Sequence, residues 1–473
     1  MDPAASHSPL PPRIALVLAG GAARGAYEVG VLQHLQEEVA RDLGHPLALD
    51  ILCGTSVGAL NVCALAAHAD DPAGRVQRLH QRWTHLQVSD ILQPSGSEVY
   101  SMLRSVLGRR PDLGTSDKDA RRGGIFYPAG LERLLRTDVP FERIDEHLHK
   151  GRLAAVTVST TQVASGRTVV HIQRLQRPPA AAAAHGGRAL PTPRDPTTLY
   201  RDTHLTPQHA LASAAIPILF PSVRIDGELH CDGGLRQNVP LSPARRLGAD
   251  RLLVVNPHYI EPARPTPAAG AAAGGAGVVN RALEQAFLDP LFLLGKALNA
   301  LLLDRIDNDI ERLHRINDIL DAGTRRYGPS FVHELNQELA RKKGPDALQT
   351  LQALDASVGA ATPATPAPDA DGAGHTSGAR GGVRRIQALL IRSSRDIGRL
   401  STEFARAPAF RRRLSGAVGR LIRHLTDSDQ SEADFLSYVL FDGEFARLLM
   451  ETGRADARLQ HQALCQLFSR AAR

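Results

Sequence analysis

The chain has 473 residues, with 56 Lys and Arg against 49 Asp and Glu and a formal charge of +7; it exceeds one small module and has room for two or three domains. Hydrophobic residues at 43% exclude wholesale disorder, and aromatics at 4% argue against a carbohydrate binder or a stacking platform for single-stranded nucleic acid. The cations are mostly Arg, with Lys only at positions 118, 150, 296, 342 and 343, so composition bias accounts for the basic balance better than an electrostatic footprint does.

In chain order, residues 1–12 are a polar, Pro-rich leader expected to be disordered, without the charged and apolar regions of a signal peptide. Residues 13–258 alternate short apolar strands with amphipathic helices, the pattern of an α/β domain with a largely parallel sheet. The strand candidates are Ile14–Leu18, Leu49–Cys53, Leu153–Ser159, Thr168–Gln173 and Leu252–Asn256. The helix candidates are Ala26–Leu43, Val57–His68, Ala73–Leu86, Ala129–Leu135 and Pro207–Ser213. Arg109–Gly124 and Pro178–Pro196 lack a buried face and read as surface insertions. A Pro/Ala/Gly linker at 259–277 leads to a helical region, 278–358, with apolar residues in three-and-four spacing from Leu298 to Leu320. A low-complexity linker, 359–382, precedes a C-terminal region, 383–473, expected to be helical.

Cys53, Cys63, Cys231 and Cys465 form neither a disulfide framework nor a zinc ligand set, and read as buried thiols in a reducing compartment. No apolar run reaches the roughly 18 residues of a membrane span. The nearest, Pro290–Leu303, is interrupted by Lys296 and Asn299. The expected location is cytoplasmic.

Three short segments carry chemistry. Leu18-Ala19-Gly20-Gly21-Ala22-Ala23-Arg24-Gly25-Ala26 follows the first strand and opens a helix, where small residues let N–H groups converge on an anion. A dinucleotide-binding turn is the rival, but Ala22 stands where its second Gly belongs and no acidic residue ends the second strand. Alone, the loop is equally a tight structural turn. Gly54-Thr55-Ser56-Val57-Gly58 lies between a strand and a helix, as a nucleophile elbow does: a sharp turn exposes the Ser hydroxyl above the sheet. Asp226-Gly227 marks a hairpin turn whose return strand brings Asp232 to the Gly233-Gly234 corner. There a carboxylate can orient or deprotonate the Ser, although a lone Asp-Gly-Gly more often caps its own turn. His230 shares a strand face with Asp232 and is the His to test.

Ser56 follows Arg24 by 32 residues, on the second strand, too early for the usual α/β-hydrolase plan. The order of Gly-rich loop, Ser and Asp resembles the patatin-like phospholipase family over about Arg13–Pro257, and the segment Ala212–Pro221 resembles the family's stretch before the Asp motif. Ala22 departs from the family's usual Gly. The resemblance implies a three-layer α/β/α fold and a lipid acyl hydrolase of the phospholipase A or lysophospholipase type, without metal or organic cofactor. Ser56 would be the nucleophile and Asp232 the proton acceptor, within the Gly54, Gly58, Gly233 and Gly234 motifs. Gly20, Gly21, Ala22, Arg24 and Gly25 would form the oxyanion loop, with amides of Gly20, Gly21, Ala22 and Val57 as donors and Arg24 as its brace.

The expected partner is a lipid ester, presented in a membrane or micelle, and not nucleic acid. The rival is a non-catalytic lipid- or protein-binding module that keeps the fold, with the Arg-rich C-terminal region as its working part; a nucleotide-binding α/β domain is weaker. Ala286–Leu303 and Phe435–Leu449 each have an apolar side, expected to pack against neighbours instead of a membrane. The basic cluster Arg411, Arg412 and Arg413, with Arg406 and Arg420, is expected to be a solvated helix face.

Overall fold

The computed structural model describes residues 12–94, 124–175, 195–261, 306–341, 383–414, 416–427 and 433–469, together with 293, 296 and 300. Nine strands form the main sheet: β1 (Ile14–Leu18), β2 (Ile51–Thr55), β3 (Ala155–Gln162), β4 (Thr168–Gln173), β5 (Thr198–Asp202), β6 (Val223–Ile225), β7 (Glu228–Asp232), β8 (Arg251–Asn256) and β9 (Gln387–Arg392). The helices that frame the site and its surroundings are α1 (Ala26–His34), α2 (Val57–Ala67), α3 (Pro72–His85), α4 (Pro207–Ser213), α5 (Leu241–Arg246), α6 (Ile306–Tyr327), α7 (Phe331–Arg341), α8 (Ala433–Val439) and α9 (Gly443–Leu459).

The sheet runs β9-β8-β1-β2-β3-β4-β5, parallel from β9 to β3, and β4 turns back antiparallel. β1 is apolar and buried at every position, as a central strand covered on both faces must be. Its side chains divide by the two-residue period: Leu16 and Leu18 enter the core under α1 and α2, while Ala15 and Val17 enter the core shared with α5 and α6. Helices on both faces of a mostly parallel sheet make the three-layer α/β/α architecture.

β7 completes the geometry. β2 pairs with β3 only as far as Thr55 opposite Ser159, and beyond that point β7 pairs antiparallel with β3, with Asp232 opposite Thr160. Asp232 therefore comes to rest just past the end of β2, where Ser56 follows. The Asp226-Gly227 turn that returns the chain into β7 has φ of 49° and 83°, the left-handed pair of a tight hairpin.

The C-terminal region departs from the helical expectation at one element. Gln387–Arg392 is β9, parallel to β8 at the sheet's edge, with Ile391 fully buried. Its apolar run, Ala388–Ile391, is too short for periodicity to separate strand from helix, and pairing with β8 decides. The rest of the described C-terminal region is helical, and α9 lies on α1 at backbone contact: a methyl on Gly30 would stand 1.9 Å from the Met450 carbonyl oxygen. Tyr27 in α1 donates to Asp456 in α9 at 2.9 Å, and Phe435 and Phe445 are buried.

Of the basic cluster, Arg406 and Arg411 bond Thr426 and Arg413 bonds Glu444 at 2.8 Å. Within 278–358 the described helices are α6 and α7, and no helix among the described residues is long and apolar enough to cross a membrane. The leader through residue 11, both surface insertions except residues 124, 195 and 196, and the linkers at 262–277 and 359–382 lie outside the described residues.

Candidate active site

Parallel neighbours β1 and β2 end at the same edge of the sheet, so the Gly20–Gly25 loop and Ser56 emerge side by side. A methyl on Gly20 would lie 3.1 Å from Ser56 Cβ. Ser56 itself has φ 53° and ψ −127°, a conformation that costs a non-glycine residue on the order of 1–3 kcal/mol. The elbow closes because its glycines leave room: a Cβ on Gly58 would lie 2.4 Å from the Leu18 carbonyl oxygen, and one on Gly54 2.4 Å from that of Gly58.

Ser213, at the end of α4, holds the strained turn. Its hydroxyl accepts the Ser56 N–H at 2.8 Å and donates to the Ser159 carbonyl at 2.6 Å. Two residues on, the Ala215 carbonyl accepts the Asp232 N–H at 2.9 Å, so the end of α4 and the residues after it position both Ser56 and Asp232. Sequence reasoning assigned Ser213 no role, because a Ser among alanines looks like any small helical residue.

The Ser56 hydroxyl donates to Asp232 Oδ2 at 2.6 Å. Asp232 Oδ1 accepts the Gly234 N–H at 2.7 Å, and Thr161 donates to the Asp232 carbonyl at 2.9 Å. Gly233 packs against the Ser159 carbonyl, where a side chain would collide. The carboxyl is completely buried, and burial pushes it up to about 7 against the Ser56 hydroxyl and the Gly234 N–H, which both favour the anion. A carboxylate poised near neutrality beside a serine hydroxyl suits a general base.

His230 shares the strand with Asp232 but serves another cluster. Its Nδ1 lies 2.9 Å from Thr160 Oγ1, and its ring packs on His171 with centroids 5.5 Å apart. Among the hydrogen bonds of the described residues, none joins His230 to Ser56 or Asp232.

In the Gly20–Gly25 loop, Gly20 gives its N–H to the Asn238 carbonyl at 3.1 Å and Arg24 gives its own to the Gly21 carbonyl at 3.0 Å. The Gly20 amide, expected from the sequence to be an oxyanion donor, is thus already engaged, and Ala22 has a left-handed φ of 48°. Gly25 lies against Val57, the first residue of α2. Arg24 is buried and its side chain turns to α8: Nε donates to Ser437 at 2.8 Å and the guanidinium stacks 4.1 Å from the Tyr438 ring centroid.

Beneath the loop, Asn61 donates to Glu28 at 2.8 Å and to the Gly25 carbonyl, and accepts from Trp83 at 3.2 Å. Burial raises the Glu28 carboxyl well above the usual range. The sequence carried no sign of this trio, since all three residues lie within ordinary helices. Among the described residues no group of three or more His, Cys, Asp or Glu side chains could hold a metal ion.

Residues 16–245 match the model of the patatin-like phospholipase family. A curated relative, described as a cGAMP-activated phospholipase of Pseudomonas aeruginosa, is 29% identical over 230 residues, 48% of this chain and 53% of the relative. The match thus spans about half the length of each protein. Among solved structures, VipD from Legionella pneumophila aligns at 16% identity over 61% of this chain and 55% of its own, with a TM-score of 0.27. The type III effector ExoU aligns at 17% identity over 91% and 79%, with a TM-score of 0.22. Residues 16–245 thus carry a patatin-like phospholipase domain within the longer chain.

Proposed function

We propose that this chain is a lipid acyl hydrolase that cleaves fatty-acyl esters through a Ser56–Asp232 dyad, in the manner of a phospholipase A or lysophospholipase. The 2.6 Å bond from the Ser56 hydroxyl to Asp232 within a strained elbow carries the reading. Asp232 takes the Ser56 proton as Oγ attacks the ester carbonyl, and the N–H groups of Gly21, Ala22 and Val57 receive the tetrahedral oxyanion. The protonated Asp232 then gives its proton to the leaving alcohol. Water, deprotonated by Asp232, releases the acyl group from Ser56. Each well-placed oxyanion donor contributes about 3–4 kcal/mol to the barrier reduction.

A non-catalytic binding module is the rival. It has no use for a left-handed Ser56 or for a completely buried carboxyl pushed up to about 7, both of which cost stability. The family match and the relative's description as a phospholipase support the enzyme.

The test is labelling by a fluorophosphonate probe together with hydrolysis of a short-chain p-nitrophenyl ester and lipidomics on a mixed lipid extract. Ser56→Ala should lose both labelling and hydrolysis while keeping the parent's circular dichroism. A folded Ser56→Ala variant that still hydrolyses the ester would remove the nucleophile from the scheme.

A further inference from the structure

A cavity of about 230 Å³ opens at the opposite end of the sheet from Ser56. Its walls include Leu47 and Leu49, which lead into β2, and Pro72 and Arg75 at the start of α3. Five residues of β2, at about 3.3 Å each, separate this end from the serine.

Arg75 is the anomaly. It is 5% exposed, its Nε is buried without a hydrogen-bond partner, and its guanidinium enters no hydrogen bond or ion pair among the described residues. The two carboxylates closest in sequence are already engaged. Asp71 accepts the Gly74 N–H at 2.8 Å and pairs with Arg78 at 2.9 Å. Asp70 pairs with Arg143 at 2.6 Å and approaches His147 at 3.4 Å. A second guanidinium on the same cavity, that of Arg152, meets the His147 ring at 3.2 Å and, among the described residues, no carboxylate.

A buried cation without a direct ion-pair partner is costly, and burial pulls the Arg75 guanidinium down to about 10 against the opposing charge of Asp71. Buried polar groups that stay unsatisfied in a folded protein call for a reason. Here two planar donor forks line one concavity whose carboxylate, Asp70, is already paired with Arg143, and guanidinium forks match the oxygens of a phosphate. The apolar walls from Leu47, Leu49 and Pro72 suit an organic group attached to that phosphate.

We propose that this cavity binds the phosphate of a small phosphorylated molecule, with Arg75 at its base and Arg152 at its mouth. The site stands apart from the Ser56–Asp232 reading and does not depend on it. The phosphate could come from a soluble phosphate ester or from a lipid headgroup.

The test uses the full chain and measures melting temperature against inorganic phosphate and glycerol 3-phosphate, with chloride controls at equal ionic strength. A parallel arm measures co-sedimentation with phosphatidylcholine vesicles, with and without phosphatidic acid. The parent should show a saturable rise in melting temperature with the phosphate ligands. Arg75→Met should melt higher than the parent without ligand, having lost an unpaired buried charge, and should lose the response. Arg75→Lys keeps the charge without the fork, and Arg152→Gln removes the exposed partner. Each should weaken binding about tenfold or more. A response to glycerol 3-phosphate alone assigns a soluble ligand. Arg75-dependent sedimentation with phosphatidic acid assigns a headgroup. No saturable response from any probe, or one that Arg75→Met and Arg152→Gln both leave intact, overturns the proposal.

Discussion

Replacing Asp232 by Asn should make the protein more stable above neutral pH while disabling it. The amide keeps the shape: its oxygen can still accept the Gly234 N–H, and its nitrogen faces Ser56 Oγ in place of the carboxylate oxygen. What it removes is an ionisation. The carboxyl is raised from 3.8 to about 7 by burial, so between those values the folded parent holds a proton that the unfolded chain has released. That contribution to stability is fully present below about pH 4 and is lost as pH rises through 7. At about 1.4 kcal/mol per pH unit, the interval from 3.8 to about 7 corresponds to about 4 kcal/mol. The stability of Asp232→Asn relative to the parent should climb across that interval and then level off, by up to that amount. Thermal and urea unfolding of both proteins, from pH 5 to 8.5, read the difference directly. A gap that does not change with pH, or that narrows as pH rises, would refute the account of a buried, raised carboxyl. A pH-dependent gap without loss of hydrolysis would separate burial from catalysis and leave Asp232 without its assigned role.

The same ionisation predicts that kcat/KM falls about tenfold per pH unit below about 7, measured on a neutral short-chain ester, because only the anion can accept the Ser56 proton. His230→Ala should leave the profile in place, since that ring bonds Thr160. Ser213→Ala leaves the buried Ser56 N–H and Ser159 carbonyl without their partner. Fluorophosphonate labelling should slow about tenfold or more, for about 1–3 kcal/mol lost at the elbow, with circular dichroism unchanged. Ending the chain before residue 383 removes β9 and the helices packed on α1. The shortened chain should aggregate or melt far below the parent, and one that keeps the parent's kcat would refute the packing described here.

Ile14–Leu18 was legible because a central parallel strand covered on both faces must be apolar throughout. Thr168–Gln173 also falls where the sequence pattern places it, as does the helix Pro207–Ser213, introduced by Thr206 and Pro207. The second strand runs Ile51–Thr55 and not Leu49–Cys53: its pairing with β1 begins at Ile51, and Leu49 lines the cavity below. Hydrophobicity alone cannot separate those two uses of a leucine. The elbow and the Asp-Gly turn were legible because each demands a backbone that few residues tolerate, and Ser56, Asp226 and Gly227 all have positive φ. Side-chain contacts between distant segments leave no comparable mark. Ser213 reaches Ser56 across 157 positions and Arg24 reaches Ser437 across 413, and neither pair has a local pattern to announce it.

Those long contacts bear on how the two halves of the chain depend on each other. Low-complexity composition between residues 359 and 382 suggests a separable C-terminal unit, yet the contacts across it are those of one core. β9 extends the sheet beside β8, α9 covers α1 at backbone distance, and Tyr27 shares the Asp456 carboxylate with the Ser394 N–H. Arg24 matters most, because it belongs to the loop that would supply the oxyanion donors. With its guanidinium between the Ser437 hydroxyl and the Tyr438 ring, and with Asp434 at 3.6 Å, the loop's side chain is anchored more than 400 residues downstream. An oxyanion hole acts through donors already held in place, so in the proposed mechanism the contacts of α8 with Arg24 would help hold the geometry offered to an ester carbonyl. Any change that loosens α8 would release Arg24 before it reached Ser56 or Asp232. The nucleophile would then remain intact beside a loop no longer held to receive the charge it creates.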